Sequence, residues 1–485
     1  MNSYGGMEVS EQLKHAREYE ERMEKNLGIP RPKFHFSSRI GWMNDPNGFS
    51  HFGGECHLFY QYHPYSKQWG PMHWGHAKTK DYITWEYLPC ALAPDEEYDA
   101  GGCFSGSAIE WQDKHILAYT GVTKEEPSRQ IQCIAVGDGL EYQKIKENPV
   151  IDSGQLPEGA STIDFRDPKI YVEDNAFKMV VANRDVDGDG QILQYQSTDL
   201  KNWEFVSVLD KSNRQIGRMW ECPDYFSLQG KEILIFSPQE MVADGEFHNG
   251  NCVAASIGRY EMNKKCLERE HVHSVDYGLD FYAPQTMQSP DGRRILIGWM
   301  QSWENPIYPT ESNWVGMMTI PRELTLKDQR LYQSPVREIE NYYTKSIDVE
   351  KCCIESETGF PGVEGECFDM EVELSGNAYQ EFEIKMGQSG GRYISFSYDR
   401  KKQQIGIDRL YSGLNKDLIC QRSLKVRDYH DKLKVRLIRD LYSLEVFVGD
   451  GEYVMSMCFF LPEGAGEIRF ASDGLAEAKI LFHSL

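Results

Sequence analysis

The chain has 485 residues, 40% of them apolar and 12% aromatic, long enough for two cores and too rich in large side chains to be disordered; such aromatics suit clefts of the kind that bind carbohydrate. Its 75 acidic against 52 basic residues leave a net charge of −23, which disfavours nucleic acid or an anionic membrane as partner. No apolar run reaches the roughly 18 residues that span a bilayer, residues 1–20 lack the parts of a signal peptide, and the 12 cysteines form no C-x-x-C pair, so a cytoplasmic protein with reduced thiols is expected.

In chain order, Leu13, Ala16, Tyr19, Met23 and Leu27 recur at helical steps until Gly28, Pro30 and Pro32 stop them. This predicts a helix in an N-terminal appendage, residues 1–33, whose role is packing. From Phe34 the pattern changes to short runs of Val, Ile, Tyr, Phe and Trp between Gly, Asp and Asn turns, with strands expected at 55–62, 115–122, 177–182, 232–237 and 294–299. Distinctive motifs recur at Asp45, Phe104-Ser105, Asp167, Glu221 and Asp280-Phe281-Tyr282, in steps of 54 to 63 residues. The pattern D-x-x-x-W-E occurs at Asp81 and again 118 residues later at Asp199. A period of this length in β sequence predicts a propeller with one motif per four-stranded blade, and five blades fit within residues 34–335. The innermost strands of such blades border one channel, so the motifs converge at one end of it. After Pro335 the period stops. Residues 336–343 read as a short helical connector, and alternating strands at 371–374, 393–398, 433–438 and 443–448, with turns such as Gly449-Asp450-Gly451, predict a β-sandwich over residues 344–485. The expected fold class is all-β.

The stretch Gly41-Trp42-Met43-Asn44-Asp45-Pro46-Asn47-Gly48 sets a carboxylate between two amides beside a tryptophan, in what reads as a tight turn. Asp167, in Phe165-Arg166-Asp167-Pro168, and Glu221, in Trp220-Glu221-Cys222-Pro223, are carboxylates in similar settings. Three such acids suggest one site, and glycosidic bonds are cleaved by carboxyl pairs, roughly 5 to 5.5 Å apart in the retaining form. Asp45 reads as the nucleophile. Glu221 reads as the acid/base, its proton kept by nearby carboxylates and the apolar Trp220. Asp167, beside Arg166, reads as an ionised group that grips substrate hydroxyls and stabilises positive charge on the sugar. Cys222 reads as a small buried hydrophobe. Asp185-Val186-Asp187-Gly188-Asp189-Gly190 copies half of a calcium loop but has Gln196 where a bidentate Glu is needed, so it reads as a hairpin turn. His271 and His273 read as surface residues, and His63, His73 and His76 as buttresses of the pocket.

These motifs carry a resemblance to glycoside hydrolase family 32, the β-fructofuranosidases. The series Trp42 to Gly48, Phe59-Tyr60-Gln61-Tyr62-His63-Pro64, Trp69 to His76, Phe104-Ser105-Gly106-Ser107, Arg166-Asp167-Pro168 and Glu221-Cys222 runs in the family's order. Arg439-Asp440 and the following Ser443-Leu444-Glu445-Val446-Phe447 resemble its sandwich domain. The resemblance covers residues 34–485. It implies a five-bladed propeller followed by a sandwich, a retaining mechanism through a fructosyl-enzyme, and neither metal nor cofactor. The implied reaction is hydrolysis of the fructosyl bond of sucrose or sucrose 6-phosphate, with a fructan exohydrolase acting on inulin- or levan-type oligosaccharides as the alternative. A sugar-binding protein without catalysis is the alternative from another class. By the same match Asp45, Asp167 and Glu221 take the three roles above, and Trp42, Met43, Asn44, Gln61, Trp69, Phe104, Ser105 and Arg166 line the fructose pocket. Trp303 is a further candidate, against the packing role usual for an aromatic near a strand end.

Overall fold

A computed structural model of the chain describes residues 9–304, 307–413, 417–430 and 432–485; residues 1–8 of the predicted appendage lie outside them. Ser10 caps the helix Glu11–Met23, its hydroxyl accepting the N–H of Leu13. The helix ends short of the predicted Leu27, and the chain runs without regular structure to the first long strand. Buried Leu13 and Ala16 seat it against the first sheet, where Glu20 pairs with Arg39 at 2.8 Å and accepts the N–H of Cys90. No helix among the described residues is long and apolar enough to cross a membrane.

Five antiparallel sheets follow in sequence, each built from four consecutive strands save for one interruption. Their first strands are Gly41–Phe52, Gly102–Trp111, Ala160–Glu173, Trp220–Leu228 and Tyr282–Gln288. All five strands expected in this region fall within observed ones, and the five motifs lie on or immediately before the five first strands. These first strands touch in circular succession, each meeting the next and the fifth meeting the first. Trp314–Val315, from a loop of the fifth sheet, pairs parallel with Gly41 and Trp42 and ties the end of the region to its beginning. The D-x-x-x-W-E repeats build the same loop twice, between third and fourth strands: Asp81 Oδ1 accepts the N–H groups of Ile83 and Thr84, and Asp199 Oδ1 those of Lys201 and Asn202. Residues 185–190 form the expected hairpin between Ala176–Asp185 and Gly190–Ser197.

Past the 3₁₀ helix Arg337–Tyr342, a six-stranded and a five-stranded sheet complete the chain. Strand alternation explains their packing: Phe368, Met370, Val372 and Leu374 face a core shared with Phe382, Ile384, Met386 and Phe396, while Glu371 and Glu373 between them do not. A buried polar network joins this pair of sheets to the five before it. His35 lies between Asp440 at 3.0 Å and Glu445 at 2.8 Å, and Arg322 contacts Glu445, Asp276 and the Ser456 hydroxyl. Removing one partner from such a network strands a buried charge, typically at about 3–5 kcal/mol. His273 is not at the surface as its sequence context suggested. The hairpin of the fifth sheet covers it, its Nε2 accepts the N–H of Leu331 at 3.1 Å, and it is 1% exposed.

Candidate active site

Each of the five first strands is interrupted by a β-bulge at the corresponding level. Pro168, Pro223 and Pro284 sit within three of the bulges, where a missing ladder hydrogen bond makes the missing N–H of proline harmless, and Pro46 closes a fourth. Gly106 closes the fifth, where a Cβ would come 2.0 Å from the carbonyl oxygen of Ala118. The segment Asn44-Asp45-Pro46-Asn47, expected as a tight turn, is therefore a bulged piece of strand. The residue before each Pro or Gly is Asp45, Ser105, Asp167, Cys222 or Ala283, and the one before that is Asn44, Phe104, Arg166, Glu221 or Tyr282. Asp167, Cys222 and Ala283 carry positive φ of 65°, 50° and 50°, strain of the kind that bulges use to re-aim side chains. Two rings of side chains converge as a result.

In the first ring, Asp45 Oδ2 accepts the Ser105 hydroxyl at 2.7 Å, and Oδ1 accepts the Asn44 amide at 3.0 Å. The Asn44 side-chain Oδ1 in turn accepts the Trp42 indole N–H at 2.8 Å. Asp167 Oδ2 accepts the backbone N–H of Cys222 at 2.9 Å. The Cys222 sulfur lies 3.4 Å from Asp45 Oδ2 and 3.6 Å from Asp167 Oδ2, so one thiol touches both carboxylates. Burial, with these two acids beside it, holds that thiol protonated by pushing it well above the ordinary range. Burial also raises Asp45, against the hydrogen bond from Ser105.

The second ring corrects two expectations. Arg166 was expected to keep Asp167 ionised, yet its guanidinium turns to Glu221, with Nε and Nη2 at 3.1 and 2.9 Å from Oε1. Burial and the repulsion of Glu221 and Asp45 outweigh what attraction Arg166 still exerts on Asp167, which is pushed up to about 7. Trp220 was expected to wall Glu221. It instead stacks on Phe236 at 3.9 Å and donates to the Ile216 carbonyl, because neighbouring residues of a strand face opposite ways. Glu221 Oε2 accepts the Gln239 amide at 2.8 Å and the Tyr282 hydroxyl at 2.7 Å. Arg166 Nη1 is held by Gln130 and Asp164.

Around these rings Trp69, 49% exposed on its loop, stands edge-on to Phe104 at 5.8 Å. Trp303 stacks on Trp42 at 6.0 Å and contacts Trp299 at 5.1 Å, which brings it to the Asn44–Asp45 side of the site. Gln61 donates to the Cys103 carbonyl at 3.0 Å, one residue before Phe104. Met43 is fully buried in the core and presents no surface, since strand alternation turns it away from Trp42 and Asn44. His63 and His73 brace the loop that carries Trp69 through contacts with the carbonyls of Gln68 and Pro71. His76 faces the core instead, against His57 and Phe59. The sequence reading missed Tyr282 and Gln239 as partners of Glu221, and underrated Cys222. The repeated X-Pro step, which aligns Tyr282 with Glu221 and Cys222 with Asp45, was the available signal for two of them.

Three comparisons bear on this geometry. A model described as "Glycosyl hydrolases family 32 N-terminal domain" matches residues 35–335, and "Glycosyl hydrolases family 32 C terminal" matches residues 337–484. A sucrose-6-phosphate hydrolase of Zymomonas mobilis is 38% identical over 475 residues, covering 92% of this chain and 90% of the relative. A levanase of Bacillus subtilis is 33% identical, covering 94% of this chain and 70% of the relative. Among solved structures, a mutant Bombyx mori GH32 beta-fructofuranosidase in complex with sucrose superposes with a TM-score of 0.84 at 33% identity, over 98% of both chains.

Proposed function

Since the chain belongs to glycosyl hydrolase family 32, we propose that it hydrolyses the fructosyl bond of sucrose or sucrose 6-phosphate as a β-fructofuranosidase, with Asp45, Asp167 and Glu221 as its catalytic residues. The observation that carries the assignment is the contact of one thiol, Cys222, with the carboxylates of both Asp45 and Asp167 while the adjacent Glu221 supplies the third acid. The names of the relatives support the substrate. The circular succession of five sheets supports a five-bladed propeller over residues 34–335, followed by a connector and a sandwich over 344–485. Twelve unpaired thiols support a cytosolic setting.

In the proposed reaction an Asp45 oxygen attacks the anomeric carbon of fructose while Glu221 protonates the departing glycosidic oxygen; water, deprotonated by Glu221, then releases fructose with net retention. The free site must rearrange for this. Arg166 contacts Glu221, and burial raises Asp167 above the usual carboxylate range. Sugar hydroxyls that draw Arg166 toward Asp167 ionise Asp167 and leave Glu221 free to carry the proton. Asp167 then stabilises charge on the sugar ring. Trp42, Asn44, Gln61, Trp69, Phe104, Ser105 and Trp303 shape the pocket, and Met43 supports it from the core. Parallel measurement of kcat/KM on sucrose, sucrose 6-phosphate and 1-kestose tests the reading. Turnover of one of the first two is expected to lead, and a well-folded protein inactive on both would refute it.

A further inference from the structure

A second cavity, of about 370 Å³, opens on the same five first strands two to six residues beyond the catalytic rings. At about 3.3 Å per residue, its lining lies about 7–20 Å along the strands from those rings, with Lys169 nearest, two residues past Asp167. Its volume lies in the range of small-molecule sites, roughly 300–1,000 Å³. Two cations line it, Lys169 and Arg294, with side chains 9% and 15% exposed.

The charges here do not balance. Lys169 Nζ donates to Asp224 Oδ2 at 2.8 Å and to the Thr286 carbonyl at 2.7 Å. Arg294 Nε donates to the Thr286 hydroxyl at 2.8 Å, its Nη2 lies 3.5 Å from Asp224 Oδ1, and its guanidinium lies 4.0 Å from the centre of the Phe226 ring. Asp224 is the one carboxylate whose field acts on both cations, and its oxygens already accept the Thr286 N–H at 2.6 Å and hydroxyl at 2.9 Å. Glu110 also lines the cavity, but its side chain is exposed to solvent. An ammonium has three donors and a guanidinium five, so one donor of Lys169 and the Nη1 group of Arg294 have no partner among the described residues. Burial lowers both cations, and the charge of Arg294 lowers Lys169 further. Excess positive charge, desolvated and with unused donors, is costly until an anion meets it. The rings of Tyr171 and Tyr225, 6.0 Å apart and tilted by 58°, line the same cavity.

We propose that this cavity is an oxyanion site that takes the phosphate group of inorganic phosphate or of a sugar phosphate, separate from the catalytic carboxylates. The unused donors of Lys169 and Arg294 bind the oxygens, as charge-assisted hydrogen bonds to phosphate do. The tyrosine rings offer a wall to a sugar if one is attached.

The test is calorimetric titration of the whole protein with inorganic phosphate and, separately, glucose 6-phosphate, in the presence of saturating fructose to occupy the catalytic pocket. Saturable phosphate binding is expected, weakened at least about tenfold in Arg294→Gln. That variant leaves Lys169 and Asp224 as a neutral pair and is expected to fold. Should it fail to fold, wild-type protein still decides: phosphate must raise the melting temperature saturably over chloride at equal ionic strength, with fructose present. Tighter binding of glucose 6-phosphate than of phosphate identifies a sugar phosphate as the occupant, and equal binding identifies inorganic phosphate. Absence of saturable binding, equal affinity in folded Arg294→Gln, or loss of binding on adding fructose overturns the proposal.

Discussion

Removal of the Ser105 hydroxyl probes how the proposed nucleophile is kept ionised. The hydroxyl donates to Asp45 Oδ2 at 2.7 Å in a buried setting, and it opposes the burial that raises that carboxyl. A hydrogen bond to a charged group is worth about 1.5–3 kcal/mol, which corresponds to a factor of roughly 10 to 150 in rate. In Ser105→Ala the Asp45 carboxyl rises further, so the ionised fraction falls most where pH is low. The variant is therefore expected to lose about 10- to 150-fold in kcat/KM on the acid limb, to move that limb to higher pH, and to recover part of the loss as pH increases. A pH profile of kcat/KM on sucrose, wild type against Ser105→Ala, measures this. An equal loss at every pH, with the limb unmoved, would show that Ser105 merely shapes the pocket and would refute the reasoning.

Asp45→Ala is expected to abolish turnover, whereas Glu221→Ala is expected to keep more activity on substrates whose leaving group needs little protonation; identical dependence on leaving-group acidity in both variants would remove Glu221 from the acid role. Trp303→Ala removes an aromatic face stacked on Trp42, and a rise in KM of about 2- to 10-fold with kcat nearly unchanged is expected from steady-state kinetics. His35, held by Asp440 and Glu445, is raised from 6.5 to about 9. Its share of stability, on the order of 3 kcal/mol, is complete below pH 6.5 and is lost as pH climbs through about 9. Asp440, lowered to about 2, shows the same interaction from the other side and is not added. Urea unfolding should therefore show His35→Gln destabilised most near pH 6, with the gap to wild type narrowing toward pH 10; a constant gap contradicts the assignment.

Local pattern made much of this protein readable, because strand alternation and turn chemistry act over a few residues. The strands expected at 443–448 and 294–299 are observed at those residues, as Ser443–Val448 and Arg294–Trp299. The motif spacing placed Asp45, Asp167 and Glu221 on equivalent strands. What failed was side-chain direction and long-range pairing. Strand alternation turns Trp220 away from Glu221, where a turn-like reading of the motif had set it beside the acid, and adjacency of Arg166 to Asp167 did not reveal that the guanidinium reaches Glu221. His35 meets its partners Asp440 and Glu445 more than 400 residues away, a contact that only tertiary structure creates. The second cavity is likewise illegible in sequence, because Lys169 and Arg294 become a charge imbalance only where the fold sets both beside the single carboxylate of Asp224.

Asp45 is the residue proposed to bear the fructosyl group. Mixing Glu221→Ala with a fructoside of an acidic leaving group slows release of the intermediate, and acid quenching followed by peptide mass spectrometry then locates the covalent sugar. A fructosyl adduct on Asp45 is predicted. An adduct on Asp167 instead, or turnover to the α-anomer with no adduct on any residue, would contradict the account.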